Sequence, residues 1–193
     1  MPPEEIDRCN LGAFKSALLL NGPELLRLAH AYIAGDLPRI LVLCGPVGTG
    51  KTMLAQGIMG ALLDKGFYGR FERTVDFLDH IRRTYGGGRG QDSVAVMEWY
   101  YEHPLVVFDD LGSEQQTDWV GEQFYKVFDY RYRTKARPDG TPLLTIVTMN
   151  RLVGEMADDR IASRLQDSRV ARVVVFKGTD VRRQLAPEAW GRD

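Results

Sequence analysis

At 193 residues, 44% of them hydrophobic and 26% charged, the chain has the size and composition of one ordinary globular domain. A formal net charge of −1 excludes a globally basic nucleic-acid binder but leaves room for a local basic path. The two cysteines, Cys9 and Cys44, belong to no metal-ligand cluster. No leader opens the chain and no apolar run approaches the roughly 20 residues that span a bilayer, so the expected setting is cytoplasmic.

In chain order, residues 1–10 read as a loosely ordered lead-in. Residues 11–34 carry a helical pattern, broken at Asn21-Gly22-Pro23 and ended by Gly35-Asp36-Leu37-Pro38. Ile40 to Cys44 is an unbroken, β-branched apolar run and predicts a strand buried on both faces. Gly45-Pro46-Val47-Gly48-Thr49-Gly50-Lys51-Thr52 then matches the phosphate-binding loop G-x-x-x-x-G-K-S/T in full. Met53 follows it, and Leu54, Ile58, Ala61 and Leu62 continue at helical spacing. In that strand–loop–helix setting the glycines let backbone N–H groups converge on phosphate oxygens, and the new helix aims its positive end at them. Lys51 would neutralise β/γ-phosphate charge, meeting solvent and phosphate rather than the core, and Thr52 would offer a hydroxyl to Mg²⁺.

A second strand is expected over Phe67 to Phe71, a helix from about Val75 to Tyr85, a flexible glycine stretch from Gly86 to Asp92, and a short helix over Val94 to Glu102. Leu105 to Gly112 is a buried strand that ends in Asp109-Asp110, at the carboxyl end where open α/β sheets bind ligands. One carboxylate there can hold Mg²⁺ and its neighbour can activate the attacking water. A long helix over Thr117 to Lys135 puts Val120, Phe124, Val127, Phe128 and Arg131 on one stripe. Leu143 to Asn150 is the next strand, and Thr148 or Asn150 at its end could meet the γ-phosphate or the lytic water. Short helices over Leu152 to Met156 and Arg160 to Leu165, then a strand over Val170 to Phe176, complete the pattern. Apolar strands alternating with helices predict a three-layer α/β sandwich around a mostly parallel sheet.

Three basic groups remain. Arg131, Arg133, Lys135 and Arg137 surround the end of the long helix, suited to its dipole or to a polyanion. Arg82, Arg83 and Arg89 flank the glycine stretch and could meet phosphates along a single DNA strand. Arg160 and Arg164 lie four apart on one helical face.

Taken together, the Gly-Pro-Val-Gly-Thr-Gly-Lys-Thr loop, Val106 to Gly112, Phe128 to Tyr132, Thr145 to Asn150, Arg160 to Leu165 and Gly178 to Arg182 resemble the helicase-loader branch of the AAA+ ATPases. That branch, typified by DnaC, also includes the IstB transposition helpers. The resemblance spans roughly residues 9–184 and implies a P-loop NTPase (AAA+) domain over 39–184, preceded by a lead-in with helices over 1–38 and followed by a tail over 185–193. It implies ATP and Mg²⁺ as ligands, with Asp109 and Asp110 as Walker B acids and Asn150 as sensor 1. It also implies Arg164, or Arg160 beside it, as an arginine finger for a neighbouring subunit, and Arg182 as sensor 2. Met149 and Met53 depart from the usual residues at their positions, and neither removes a phosphate ligand. The expected activity is ATP hydrolysis at a site shared between subunits. The expected partners are single-stranded DNA, a replicative hexameric helicase and further copies of the chain, with no membrane. The alternatives are a transposition helper on duplex DNA, a P-loop kinase, and a nucleotide-gated scaffold that hardly hydrolyses.

Overall fold

The computed structural model describes residues 11–85, 90–115 and 117–183. Cys9 and Arg89 lie outside them. Two 3-10 turns, Leu11–Ala13 and Ser16–Leu18, precede α1 (Gly22–Ala34), which starts with Pro23 in its first turn and stops at Gly35 in the left-handed region. Then follow β1 (Ile40–Cys44), α2 (Lys51–Asp64), β2 (Gly69–Arg73), α3 (Thr74–Tyr85), α4 (Gly90–Glu102), β3 (Leu105–Leu111), α5 (Asp118–Arg133), β4 (Leu144–Met149), α6 (Asp159–Gln166) and β5 (Ala171–Val175).

The strands form one sheet in the order β2-β3-β4-β1-β5, and every pairing is parallel. Alternate residues of each buried strand feed opposite cores. Ile40, Val42 and Cys44 of β1, with Val106 and Phe108 of β3, pack under α3, α4, α5 and α6. Leu41, Leu43, Val107 and Ile146 pack under α1 and α2. A strand covered on both faces has no polar side to show, which is why these runs are apolar throughout. The three-layer sandwich expected from the sequence is present.

Two boundaries differ from expectation for local reasons. The second strand begins at Gly69, because Phe67 still belongs to the end of α2: its N–H donates to Leu62 O while Gly66 turns left-handed with φ 88°. The helix expected from Val94 already starts at Gly90.

The basic stretch around the end of α5 is corrected at Arg131. Its side chain is fully buried, not offered to a polyanion. Its Nε donates to Thr145 Oγ1 at 2.7 Å, and its terminal nitrogens donate to the carbonyls of Tyr100, Tyr101, His103 and Leu144 at 2.6–3.1 Å. Those carbonyls end α4 and open the way into β3 and β4, so one guanidinium ties three elements together. Burial pushes its pKa down to about 9, which leaves it charged at neutral pH. Among the described residues, no helix is long and apolar enough to cross a membrane.

Candidate functional site: a phosphate loop facing two unlike carboxylates

The loop between β1 and α2 bounds a cavity of about 590 Å³ at the carboxyl ends of the strands. Val47 to Met53 line one side; Asp109, Asp110, Thr148, Asn150 and Arg182 line another. The loop is held by its own backbone and by neighbouring segments. Gly48 has φ 77° and Gly50 φ 85°, a region that only glycine enters freely. A Cβ on Gly48 would stand 1.9 Å from Asp180 Oδ1, and one on Gly50 would stand 3.2 Å from the Phe14 ring. Thr49 Oγ1 donates to Pro46 O at 2.8 Å, and Val181 N–H donates to Gly48 O at 3.0 Å.

Lys51 does not meet solvent as the sequence led us to expect. It is 6% exposed, and its Nζ folds back to donate to Gly45 O at 2.9 Å and Pro46 O at 2.8 Å. Burial lowers its pKa, and the nearby Asp110 and Asp109 carboxylates oppose that shift.

The two aspartates differ in burial and in partners. Asp109 is buried, and its Oδ1 accepts from Thr52 Oγ1 at 2.9 Å and Thr148 Oγ1 at 2.7 Å. Burial raises its pKa; the two hydroxyls and, more weakly, Lys51 pull it back. Asp110 stands further out, because β3 carries a bulge against β4 between Phe108 and Leu111. There Asp110 takes φ 62°, the one positive value among the described non-glycine residues. Its N–H donates to Thr148 Oγ1 at 2.9 Å, its carbonyl accepts from Thr74 Oγ1 at 3.0 Å and Ser113 Oγ at 2.7 Å, and its Oδ1 accepts from Asn150 Nδ2 at 2.5 Å. Strained backbone of this kind persists where its surroundings over-determine it. Thr148 lines the same cavity but is buried, and its hydroxyl joins the two aspartates.

The other expected residues fall into two places. Arg182 is exposed at the cavity mouth, with its N–H on Asp180 Oδ1 at 3.0 Å. Arg160 and Arg164 lie on α6, outside the cavity lining. The Arg160 side chain is 58% exposed and paired with Asp158; that of Arg164 is 19% exposed and paired with Asp129. Arg83 lines a second cleft of about 730 Å³ that adjoins the cavity across Thr52, Gln56 and Asp109. Arg70, Arg73 and His80 share its lining with Glu72, Asp76 and Asp79. Arg82 pairs with Asp79 at 3.1 Å and lies 5.0 Å over the Trp119 ring.

Sequence reasoning missed an apolar wall of Phe14, Leu19 and Val181, with Lys15 beside it. No motif marks it. Its parts come from both flanks of the domain, and only the turn geometry brings them to the loop. An apolar wall beside a phosphate loop could take a nucleobase.

Several solved structures share its fold. A crystal structure of the DnaC helicase loader superposes with a TM-score of 0.71 at 21% identity, covering 90% of this chain and 99% of that one. A crystal structure of DnaI gives 0.68 at 20% identity, covering 93% and 94%. A DnaA replication initiator bound to AMPPCP and single-stranded DNA gives 0.66 at 18% identity, covering 91% of this chain and 50% of that one. By sequence, an ATP-binding protein in an insertion sequence of Mycobacterium tuberculosis is 32% identical over 117 residues, 60% of this chain. The matched stretch spans 42% of that relative's length. The profile of IstB-like ATP binding proteins matches residues 29–187, so this chain belongs to the family of IstB-like ATP binding proteins.

Proposed function

We propose that this chain is an ATP-hydrolysing helper that acts on DNA and delivers another DNA-handling protein to it, with each ATP site completed by a neighbouring copy. The observation that carries the reading is the division of labour between Asp109 and Asp110. Asp109 is buried and accepts from the hydroxyls of Thr52 and Thr148, whereas Asp110 is thrust forward beside the Asn150 amide. A metal-holding group and a water-activating group need those two environments.

Among the described residues no cluster of three or more His, Cys, Asp or Glu side chains forms a metal cage. Mg²⁺ requires none: it keeps several waters and binds through one or two carboxylates plus substrate phosphates. Thr52 and Asp109 fit that role, since both offer hard oxygen donors and the burial of Asp109 leaves its charge short of compensation. When bound, the ion would polarise the β/γ-phosphate oxygens. Lys51 would exchange its two loop carbonyls for those phosphates, and the Phe14, Leu19 and Val181 wall would take the base. Asp110 would accept the proton of the attacking water, with Asn150 orienting it. Arg182 would contact the phosphates from its own subunit. Arg164, or Arg160 beside it, would reach the transferring phosphate of the next copy, where its fork stabilises developing charge.

For the DNA, Arg83 on the cleft, Arg82 at its rim and Arg89 would follow the backbone of a single strand. The resemblance to helicase loaders makes a replicative hexameric helicase the first partner to test. The insertion-sequence relative favours a second reading, in which the partner is a transposase and the DNA is duplex. Purified protein should hydrolyse ATP faster with DNA present and faster per subunit at higher protein concentration. Single-stranded DNA as the better stimulant, with a helicase recovered from the native cells, supports the first reading; duplex DNA with a transposase supports the second. ATP binding without turnover under every DNA condition would reject both.

A further inference from the structure

Arg164 is expected to act on a neighbour, yet in this chain nearly all of its hydrogen-bonding capacity is spent at home. A guanidinium carries five N–H donors. The Arg164 Nε donates to Asp129 Oδ1 at 2.9 Å; Nη2 donates to the same oxygen at 2.5 Å and to Tyr125 OH at 3.0 Å; Nη1 donates to Arg160 O at 2.8 Å. Four of the five are taken. The plane also lies 4.7 Å from the Tyr125 ring centre and 5.7 Å from that of Tyr132. An arginine that binds phosphate presents two parallel N–H groups as a fork. No such pair is left over here.

We propose that Asp129 is a latch on the trans-acting arginine: it holds Arg164 in a parked position, and Arg164 must leave it before the neighbour's ATP can be served. This rests on the shared-site reading given above. The geometry makes release cheap enough to be useful. Both partners keep 19% side-chain exposure, so neither is sealed in the core. Asp129 also holds a second cation, since Arg133 Nε lies 3.1 Å from its other oxygen, Oδ2. When Arg164 departs, the carboxylate keeps Arg133 and is not left bare. The latch thereby sets a threshold: a neighbour's phosphate must outbid Asp129, and an isolated or badly docked subunit leaves Arg164 parked.

The test separates giver from receiver. Chains carrying Lys51→Ala can give an arginine but cannot fire their own site; chains carrying Arg164→Ala can fire but have no arginine to give. Mixed at a concentration below saturation, they should recover ATP hydrolysis. Adding Asp129→Asn to the giving chain removes the charge at constant shape and should raise that rate about two- to fivefold, the range expected for freeing a partly exposed pair. The same change in the receiving chain should leave it unaltered, and Asp129→Glu in the giver should return it toward the parent. Tyr125→Phe in the giver, which removes one bond only, should give a smaller rise and covers the case in which Asp129→Asn folds poorly. A giver-side rate that stays level or falls would overturn the latch and make Asp129 a support for Arg164. No recovery in the parent mixture, with mixed oligomers shown by sedimentation, would overturn the shared-site reading and the latch with it.

Discussion

Thr148→Val exchanges a buried hydroxyl for a methyl of the same shape, and the structure says what that should cost. The hydroxyl donates to the ionised Asp109 and accepts the N–H of Asp110. Losing a hydrogen bond to a charged group costs about 1.5–3 kcal/mol, and leaving a buried N–H unpaired costs about 1–3 kcal/mol. The two share one site and the bulge can relax, so about 3 kcal/mol in total is expected, or a fall in Tm of about 6–12 °C for a chain of this size. The loss should also depend on pH, with a definite sign. Burial raises the Asp109 pKa above its unfolded value, so this group favours folding below the ordinary carboxylate range and ceases to as pH climbs through the raised value. Removing Thr148 raises it further. The gap in Tm between parent and Thr148→Val should therefore widen from mild acid to neutral pH. Turnover should fall by about 10²-fold, the scale of a misplaced catalytic group, with KM for ATP little changed. Thr148→Ser should restore both. Calorimetry and steady-state kinetics across pH are the measurements. A valine variant within about 2 °C of the parent at every pH, or one with normal turnover, would refute this account of the aspartate pair.

Three further expectations can be checked alongside. Lys51→Ala should abolish binding of a fluorescent ATP analogue while shifting stability by no more than about 1 kcal/mol, because the two carbonyls it releases can take water; near-normal affinity would remove the central claim. Asp110→Asn should slow hydrolysis about 10²-fold with nucleotide and metal still bound, as loss of a base does, whereas Asp109→Asn should weaken the Mg²⁺-dependent part of ATP affinity; equal and normal turnover in both would dismiss the carboxylate pair. Arg131→Met strands several buried carbonyls and should cost about 3–5 kcal/mol by urea melting, with Arg131→Lys recovering only part, since an ammonium cannot span the same set; a loss below about 1 kcal/mol would mean that water replaces the guanidinium.

Much of this site could be read from residue order alone. The phosphate loop and the doubled aspartate are contiguous words, and the apolar strands before them announce a sheet covered on both sides. What stayed hidden depends on geometry between distant words. Arg131 reads both as the end of the Val120–Phe128 stripe and as one cation among four near a helix end, and only the fold reveals that the stripe wins and that four distant carbonyls meet its guanidinium. Thr148 reads as one more polar residue at a strand end, and only the bulge at Asp110 brings a backbone N–H to its hydroxyl. The partners of Arg164 are a helix away, so its sequence neighbours gave no sign that it is already engaged. The base wall is the extreme case: Phe14 and Val181 stand at opposite ends of the described chain.

That last arrangement bears on how the protein is made. Leu20 N–H donates to Lys177 O, the Asn21 side chain bridges Val175 O and Lys177 N–H across 154 and 156 residues of chain, and Val181 braces Gly48. A ribosome emits the phosphate loop well before its brace. An unfinished chain thus carries a complete nucleotide motif but lacks Val181, and with it part of the apolar wall and the contact that steadies the loop. ATP capture then becomes a late event in synthesis, coupled to the arrival of β5. Truncated products, however intact their motif, would be poor competitors for nucleotide.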